Sequence, residues 1–182
     1  MSLYEIFQEV QDPRRKEGLR TTLPQMFSMI IISNLCGHFG GRPIARFSKL
    51  YSDTFTDELG LRHGVPSHVI FSDILKRVDS TELIGAFNKW ARDFVPLKKG
   101  DSVSGDGKAL ASTVANEHGS SQDFQAVVSI FCHESGLVRA IGEYRNRKES
   151  EINIVRFLIE KLNGMGLVCL LYTSPSPRDL DL

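Results

Sequence analysis

The chain has 182 residues, 41% hydrophobic and 24% charged, which is typical of a globular protein with one large domain or two small ones. Its 22 lysines and arginines balance its 22 aspartates and glutamates. This excludes a globally basic nucleic-acid-binding protein, so any contact with DNA would have to use local patches. The cysteines Cys36, Cys132 and Cys169 lie far apart, which argues against a disulfide framework or a zinc site and favours the cytoplasm.

The first half of the chain predicts a compact helical module. Apolar residues at helical spacing indicate five short helices, at residues 3–10, 22–35, 44–50, 66–78 and 80–94. Thr22 is the expected N-cap of the second helix, and the glycines and proline of residues 37–43 mark a break. The side chains expected to face inward from the last helix are Leu83, Ile84, Phe87, Trp90 and Phe94. The apolar stretch 26–36 is too short to cross a bilayer, which takes ~20 residues, and no signal peptide is visible.

The pattern changes near residues 95–100. Strands are expected at 101–106, 124–132 and 137–144, with a turn at 133–136 between the last two. A helix follows from Ser150 to Gly164, and then a strand at 167–171. The sequence therefore predicts an α+β fold: a helical domain at 1–96, an α/β domain with a mixed sheet at 97–171, and an unstructured tail at 172–182.

Asp106 is the residue that suggests chemistry, and the residues alone leave its interpretation open. An Asp-Gly pair between extended segments is a strong hairpin-turn signal. A phosphate-binding loop is excluded, because Ser102 and Ala109 stand where that motif needs glycine and a hydroxyl residue. A carboxylate at the end of a strand is also where a metal-dependent nuclease or transposase places its first metal ligand.

Five short stretches support the last interpretation. From Leu3 to about Cys169 the chain resembles bacterial insertion-sequence transposases of the H-repeat-associated type, whose catalytic core is an RNase H-like fold with an Asp-Asp-Glu (DDE) triad. The stretches that carry the resemblance are residues 11–15 (QDPRR), 35–37 (LCG), 64–68 (GVPSH), 106–110 (DGKAL) and 146–152 (NRKESEI). The resemblance implies a helical transposase-associated domain followed by the first part of an RNase H-like domain.

The resemblance also implies a site and its partners. Asp106 would be the first catalytic carboxylate and a ligand of Mg²⁺, two ions of which promote DNA strand cleavage and transfer in such enzymes. The partner would be DNA at the transposon ends, with a homo-oligomer possible and no membrane. Weaker candidates for phosphate contacts are Lys108 beside Asp106, the basic group Arg145, Arg147 and Lys148, and Arg14 and Arg15 of the only basic cluster seen in the helical module. A solvated surface is the alternative for each of them.

Three features depart from the family. Gly105 stands where an apolar strand residue is usual, which predicts a weaker strand. The second aspartate should follow the 167–170 strand, but the chain continues into a Ser/Pro-rich segment that looks like translated adapter read-through from a metagenomic sequence. Asp179 and Asp181 lie beyond two prolines, and the final glutamate is absent. Glu151 is interpreted as a first-turn helix residue rather than a substitute.

These features predict a truncated transposase that is inactive as written. The alternatives are a non-catalytic DNA-binding fragment and an unstable remnant.

Overall fold

The computed structural model describes residues 2–17, 19–110, 113, 124–145 and 150–162, and the backbone of 168–171. The chain divides into two compact units, Met1–Ala86 and Phe87–Leu182. The described part of the first unit is helical and the second contains a sheet, so the predicted α+β class is confirmed. The division falls inside a helix, whereas the domain boundary after residue 96 stays a prediction. The tail 172–182 lies outside the described residues.

Apart from the helix Ser52–Leu59, which was not predicted, the helices begin and end within three residues of the predicted positions. They are α1 (Leu3–Ile6, continued by a 3-10 turn, Phe7–Glu9), α2 (Leu23–Leu35), α3 (Gly41–Leu50), α4 (Ser52–Leu59), α5 (His68–Arg77) and α6 (Ser80–Phe94). Thr22 caps α2 as predicted: its hydroxyl accepts from the backbone N–H of Gln25, whose side chain accepts from the Thr22 N–H. No described helix has both the length and the apolar character to cross a membrane.

Two helical predictions need correction. Helix α4 was not predicted, because its sequence SDTFTDEL carries few apolar residues and several poor helix formers. Its position depends instead on packing, with Phe55 buried, and it ends at Gly60 in the left-handed conformation. The inward placement of Phe94 is wrong: this ring is 57% exposed, and the small residues Ala86 and Ala91 are the buried ones on α6.

The first unit is held by an apolar core and by one close helix contact. The side chains of Ile6, Met26, Met29, Ile44, Phe71 and Ile74 are completely buried. Gly41 opens α3 directly against α5, where a Cβ atom would lie 2.0 Å from Oγ of Ser72 and 2.9 Å from the carbonyl oxygen of His68. Glycine is therefore required at this contact, which fixes α3 on α5.

A partly buried ion pair closes the segment before α2. Arg14 donates from Nε and a terminal nitrogen to the two carboxylate oxygens of Asp12, at 2.9 and 2.6 Å, and to the carbonyl of Thr21 at 2.8 Å. Burial raises the pKa of the Asp12 carboxyl, and the hydrogen bonds from Arg14 lower it by more than burial raises it. The net pKa therefore lies below its ordinary value. This pair is bidentate, which makes it more than a loose surface contact.

The second unit is built on a four-stranded sheet. Its strands are β1 (Ser102–Ala109), β2 (Gln125–Cys132), β3 (Leu137–Arg145) and β4 (Val168–Leu171), in the order β3-β2-β1-β4. Strand β2 pairs antiparallel with β1 and β3, and β4 pairs parallel with β1. The mixed sheet that the sequence predicted is confirmed. Parallel strands need a long crossover connection, and here it contains helix α7 (Glu151–Lys161).

Helix α7 lies close on the sheet because three strand residues beneath it are glycines. A Cβ atom on Gly105 would lie 3.0 Å from a methyl of Val155, and one on Gly142 would lie 3.2 Å from methyls of Ile154 and Leu158. A Cβ atom on Gly107 would lie 2.6 Å from Cδ of Glu151. The sequence predicted that Gly105 weakens β1. In the structure, Gly105 leaves the space in which Val155 packs in the core.

The outer edge of β3 is covered by an amide side chain. Asn88 donates to the carbonyl of Ile141 and accepts from its backbone N–H, both at 2.8 Å. This pair of bonds occupies two edge groups that would otherwise be free to pair with another strand.

The first prediction concerns Gly41. Replacing it by alanine (Gly41→Ala) forces α3 away from backbone atoms of α5, and we expect it to lower the free energy of unfolding by ~1–3 kcal/mol. Gly85→Ala is the matched control, since Gly85 lies on an exposed face of α6 and a Cβ atom there would meet no heavy atom within 4 Å. Gly85→Ala should raise the free energy of unfolding by ~0.5–1 kcal/mol. Urea unfolding followed by circular dichroism measures both, and equal effects of the two substitutions would contradict the requirement for glycine at position 41.

The second prediction concerns pH. Because the folded pKa of Asp12 lies below its unfolded value, the Asp12–Arg14 pair contributes stability above the ordinary value of 3.8 and loses it as pH falls through the folded pKa. Arg14→Gln removes the partner and should flatten this part of the pH dependence. Urea unfolding of both proteins across the acid range tests this. Parallel losses of unfolding free energy in the two proteins would show that the pair does not contribute.

Candidate functional site

Asp106 lies within an inner strand. It stands in β1 opposite Ser129 of β2, directly after Gly105, which pairs with Leu171 of β4. The hairpin-turn alternative is therefore wrong, because β1 continues through Asp106 and Gly107 to Ala109. The side chain of Asp106 is exposed, and no hydrogen bond to it is found among the described residues.

The side chain of Asp106 faces away from α7. Strand residues alternate between the two faces of a sheet, and Gly105 and Gly107 face α7. Asp106 and Lys108 therefore share the opposite face, where both are exposed. A cation on Lys108 two residues from a carboxylate can meet a phosphate that approaches the same face.

Glu151 lies next to this strand, but on the α7 side. It is the first residue of α7, whose N-cap Ser150 accepts from the backbone N–H of Asn153, so its interpretation as a first-turn helix residue is confirmed. Its carboxylate covers Gly107. Burial, and then the negative charge of Glu151, raise the pKa of the Tyr144 hydroxyl. Because Glu151 and Asp106 occupy opposite faces of β1, the two carboxylates do not form one ligand set.

The ligands around Asp106 fit Mg²⁺ in kind but not in number. Mg²⁺ prefers hard oxygen ligands, and its sites combine one or two carboxylates with water and substrate phosphates. Among the residues that the structure describes, the three-residue group with metal-binding side chains close together is Asp101, Cys132 and Glu134. It does not include Asp106. The described residues therefore include no group of three metal-binding side chains around Asp106 that would complete a two-ion site.

The side chains of Asp101, Cys132 and Glu134 form hydrogen bonds in the loop before β1 and in the turn after β2. Asp101 accepts from the backbone N–H of Lys98 at 2.7 Å, and Glu134 accepts from that of Ser102 at 2.8 Å. The bond from Ser102 is the main reason that the pKa of Glu134 lies below its ordinary value. Cys132 donates to the same carboxylate, with Sγ 3.5 Å from its oxygen. These contacts give each group an intramolecular role.

The other predicted residues are dispersed. Arg145 is the last residue of β3 and is exposed. Arg147 and Lys148 lie outside the described residues. Arg14 is held by Asp12 and Thr21, which gives it a structural role, and its contact with DNA stays a prediction. Arg15 is exposed and lines a groove of about 550 Å³. Arg20 and Arg77 line the same groove, together with the 63–67 segment.

The structure adds a basic surface that the sequence did not reveal. Arg42, Arg46 and Lys49 are exposed on one face of α3 and line a second groove, of about 760 Å³, with His63 and His68. No carboxylate is among the residues that line it. The basic clusters predicted from the sequence were runs of adjacent residues, whereas these three are four and three positions apart. That spacing places residues together on a helix and was the signal available in the sequence.

The comparisons with known proteins identify the helical unit. Residues 4–91 match the family described as DDE_Tnp_1-associated. No curated protein and no solved structure matches the chain. The matched segment extends from α1 into α6 and includes both grooves. The match covers slightly less than half of the chain and supports a transposase of the DDE_Tnp_1 type.

Proposed function

We propose that the sheet-containing unit is the first part of an RNase H-like catalytic domain, and that Asp106 is its first metal-binding carboxylate. The observation that carries the proposal is the strand order β3-β2-β1-β4, with β1 and β4 parallel and α7 between β3 and β4. This order places Asp106 on an inner strand, one residue beyond its pairing with β4. Acidic side chains from two neighbouring parallel strands could converge at such a position.

The proposed activity of the family is metal-dependent cleavage and transfer of DNA strands at transposon ends, in the bacterial cytoplasm. When bound, Mg²⁺ would activate the attacking water or 3′-hydroxyl and stabilise the leaving oxygen. In this chain, Asp106 would hold one ion from the face opposite α7, and Lys108 would attract a phosphate to the same face. A second carboxylate is needed after β4, and the sequence has Tyr172 directly after Leu171. We therefore expect this polypeptide to bind the ion weakly and not to cleave DNA.

A DNA-binding role without cleavage is the second candidate function. The observation that favours it is the groove lined by Arg42, Arg46 and Lys49, which lies in the associated domain and has no carboxylate among its lining residues. Such a chain would occupy element ends without cutting them.

Mn²⁺ tests the metal assignment, because it replaces Mg²⁺ at oxygen sites and broadens nearby NMR signals. We expect Mn²⁺ titration to broaden the backbone amide signals of Asp106 and Ser129, and Asp106→Asn to abolish this broadening. Asp101→Asn is the matched control, since it removes an acidic charge just before β1 and its amide oxygen can still accept from Lys98. Broadening centred on Asp101 and Glu134, with none at Asp106, would overturn the assignment.

A cleavage assay tests the predicted inactivity. Purified chain, supercoiled DNA and Mg²⁺ should give no more nicked product than the Asp106→Ala variant. Robust cleavage by the wild-type chain that disappears in Asp106→Ala would show that the site is complete.

A further inference from the structure

We infer that Arg42, Arg46 and Lys49, together with His63 and His68, form a surface that binds the phosphate backbone of duplex DNA. This inference deepens the proposed function, on which it rests for the identity of the nucleic acid. It assigns the DNA contact to the associated domain and is independent of Asp106 and of metal.

The geometry of α3 presents the three cations as a line. Residues at i, i+4 and i+7 lie on one face of a helix, and from Arg42 to Lys49 the axis rises by ~10 Å. The opposite face of α3 is fixed in the core through Ile44 and Ser48, both completely buried. The cations are therefore held toward solvent by the packing of their own helix.

The charges on this line are not neutralised within the described residues. No carboxylate there forms an ion pair with Arg42, Arg46 or Lys49, whereas Arg14 and Arg77 are paired with Asp12 and Asp73. Like charges at i, i+4 destabilise a helix by ~0.2–0.5 kcal/mol per pair. An unpaired line of this kind costs stability until an anion binds, which is the expected behaviour of a functional surface.

The facing side of the groove adds hydrogen-bond donors. It is formed by residues 63–67 and the first turn of α5, with the imidazoles of His63 and His68 exposed. Ser67, the N-cap of α5, makes no side-chain capping bond, so the positive end of this helix dipole contributes to the same side. Gly41 keeps the two sides of the groove close together, because its lack of a Cβ atom allows α3 to pack against Ser72 and His68 of α5.

The extent of the surface favours a polymer over a single anion. The 63–67 segment also borders the first groove, whose lining includes the exposed Arg15 and Arg20. The same lining contains the carboxylates Glu17 and Asp73, and Asp73 is paired with Arg77. The cations that extend the surface beyond this segment are therefore Arg15 and Arg20. Duplex DNA presents one negative charge per ~1.7 Å of axis, and a continuous row of phosphates matches a line of cations better than an isolated phosphate or an acidic peptide does.

Fluorescence anisotropy on the full chain tests the inference with a labelled DNA duplex and no added metal. The variant Arg42→Gln/Arg46→Gln/Lys49→Gln should weaken binding at least tenfold and reduce the slope of log Kd against log salt by up to about 3. The matched control, Lys76→Gln/Lys98→Gln/Lys99→Gln, removes the same charge from exposed residues outside the groove and should change Kd by less than threefold. Arg42→Lys/Arg46→Lys should retain most of the binding.

Each other outcome overturns the inference. Equal weakening by the two triple variants would show a general charge effect, and no binding at low salt would show that the surface has another role. Tighter binding of a duplex RNA through the same residues would show that the partner of this surface is RNA and not DNA. Unchanged circular dichroism and thermal unfolding of the variants verify folding. Because the assay contains no metal, loss of binding and loss of the Mn²⁺ site at Asp106 are separate results.

Discussion

The sheet depends on the close packing of α7 over Gly105, Gly107 and Gly142. A parallel pair of strands requires its crossover to cover one face of the sheet. Here the strand glycines have no Cβ atoms, so the helix can approach the sheet. Side chains of α7, among them Val155, occupy the space that Cβ atoms would fill. Burying an aliphatic side chain such as that of Val155, which is 1% exposed, contributes ~1.5–3 kcal/mol. The three glycines thus lower the intrinsic stability of the strands but allow α7 to pack closely on the sheet.

The same alternation that puts the glycines under α7 turns Asp106 to the other face. Asp106 therefore lies on an inner strand, one residue beyond the pairing of Gly105 with Leu171 of β4. This position is consistent with a metal ligand that needs a partner from β4. The basic line on α3 belongs to the other unit and would supply DNA affinity without chemistry, so the two candidate functions rest on separate parts of the chain.

Local signals predicted most of the fold. Thr22 as an N-cap predicted the start of α2, and β-branched residues with a turn at 133–136 predicted β2 and β3. Helix α4 could not be predicted from propensity, because the burial of Phe55 decides it. The Asp-Gly pair favours a turn locally, yet pairing with Ser129 and Val128 overrides that preference. The line of cations on α3 was missed because the predicted helix began at residue 44 and left Arg42 outside it, whereas α3 begins at Gly41.

The most direct test of the proposed catalytic fold is the direction of pairing between β1 and β4. Nuclear Overhauser effects between backbone protons should connect Val103 with Cys169 and Ser104 with Leu170, so that residue numbers rise together along both strands. This result would place Asp106 beside the end of a parallel neighbour. Contacts in the opposite order, or a β1 strand with β2 as its single partner, would remove Asp106 from an inner strand and contradict the proposed fold.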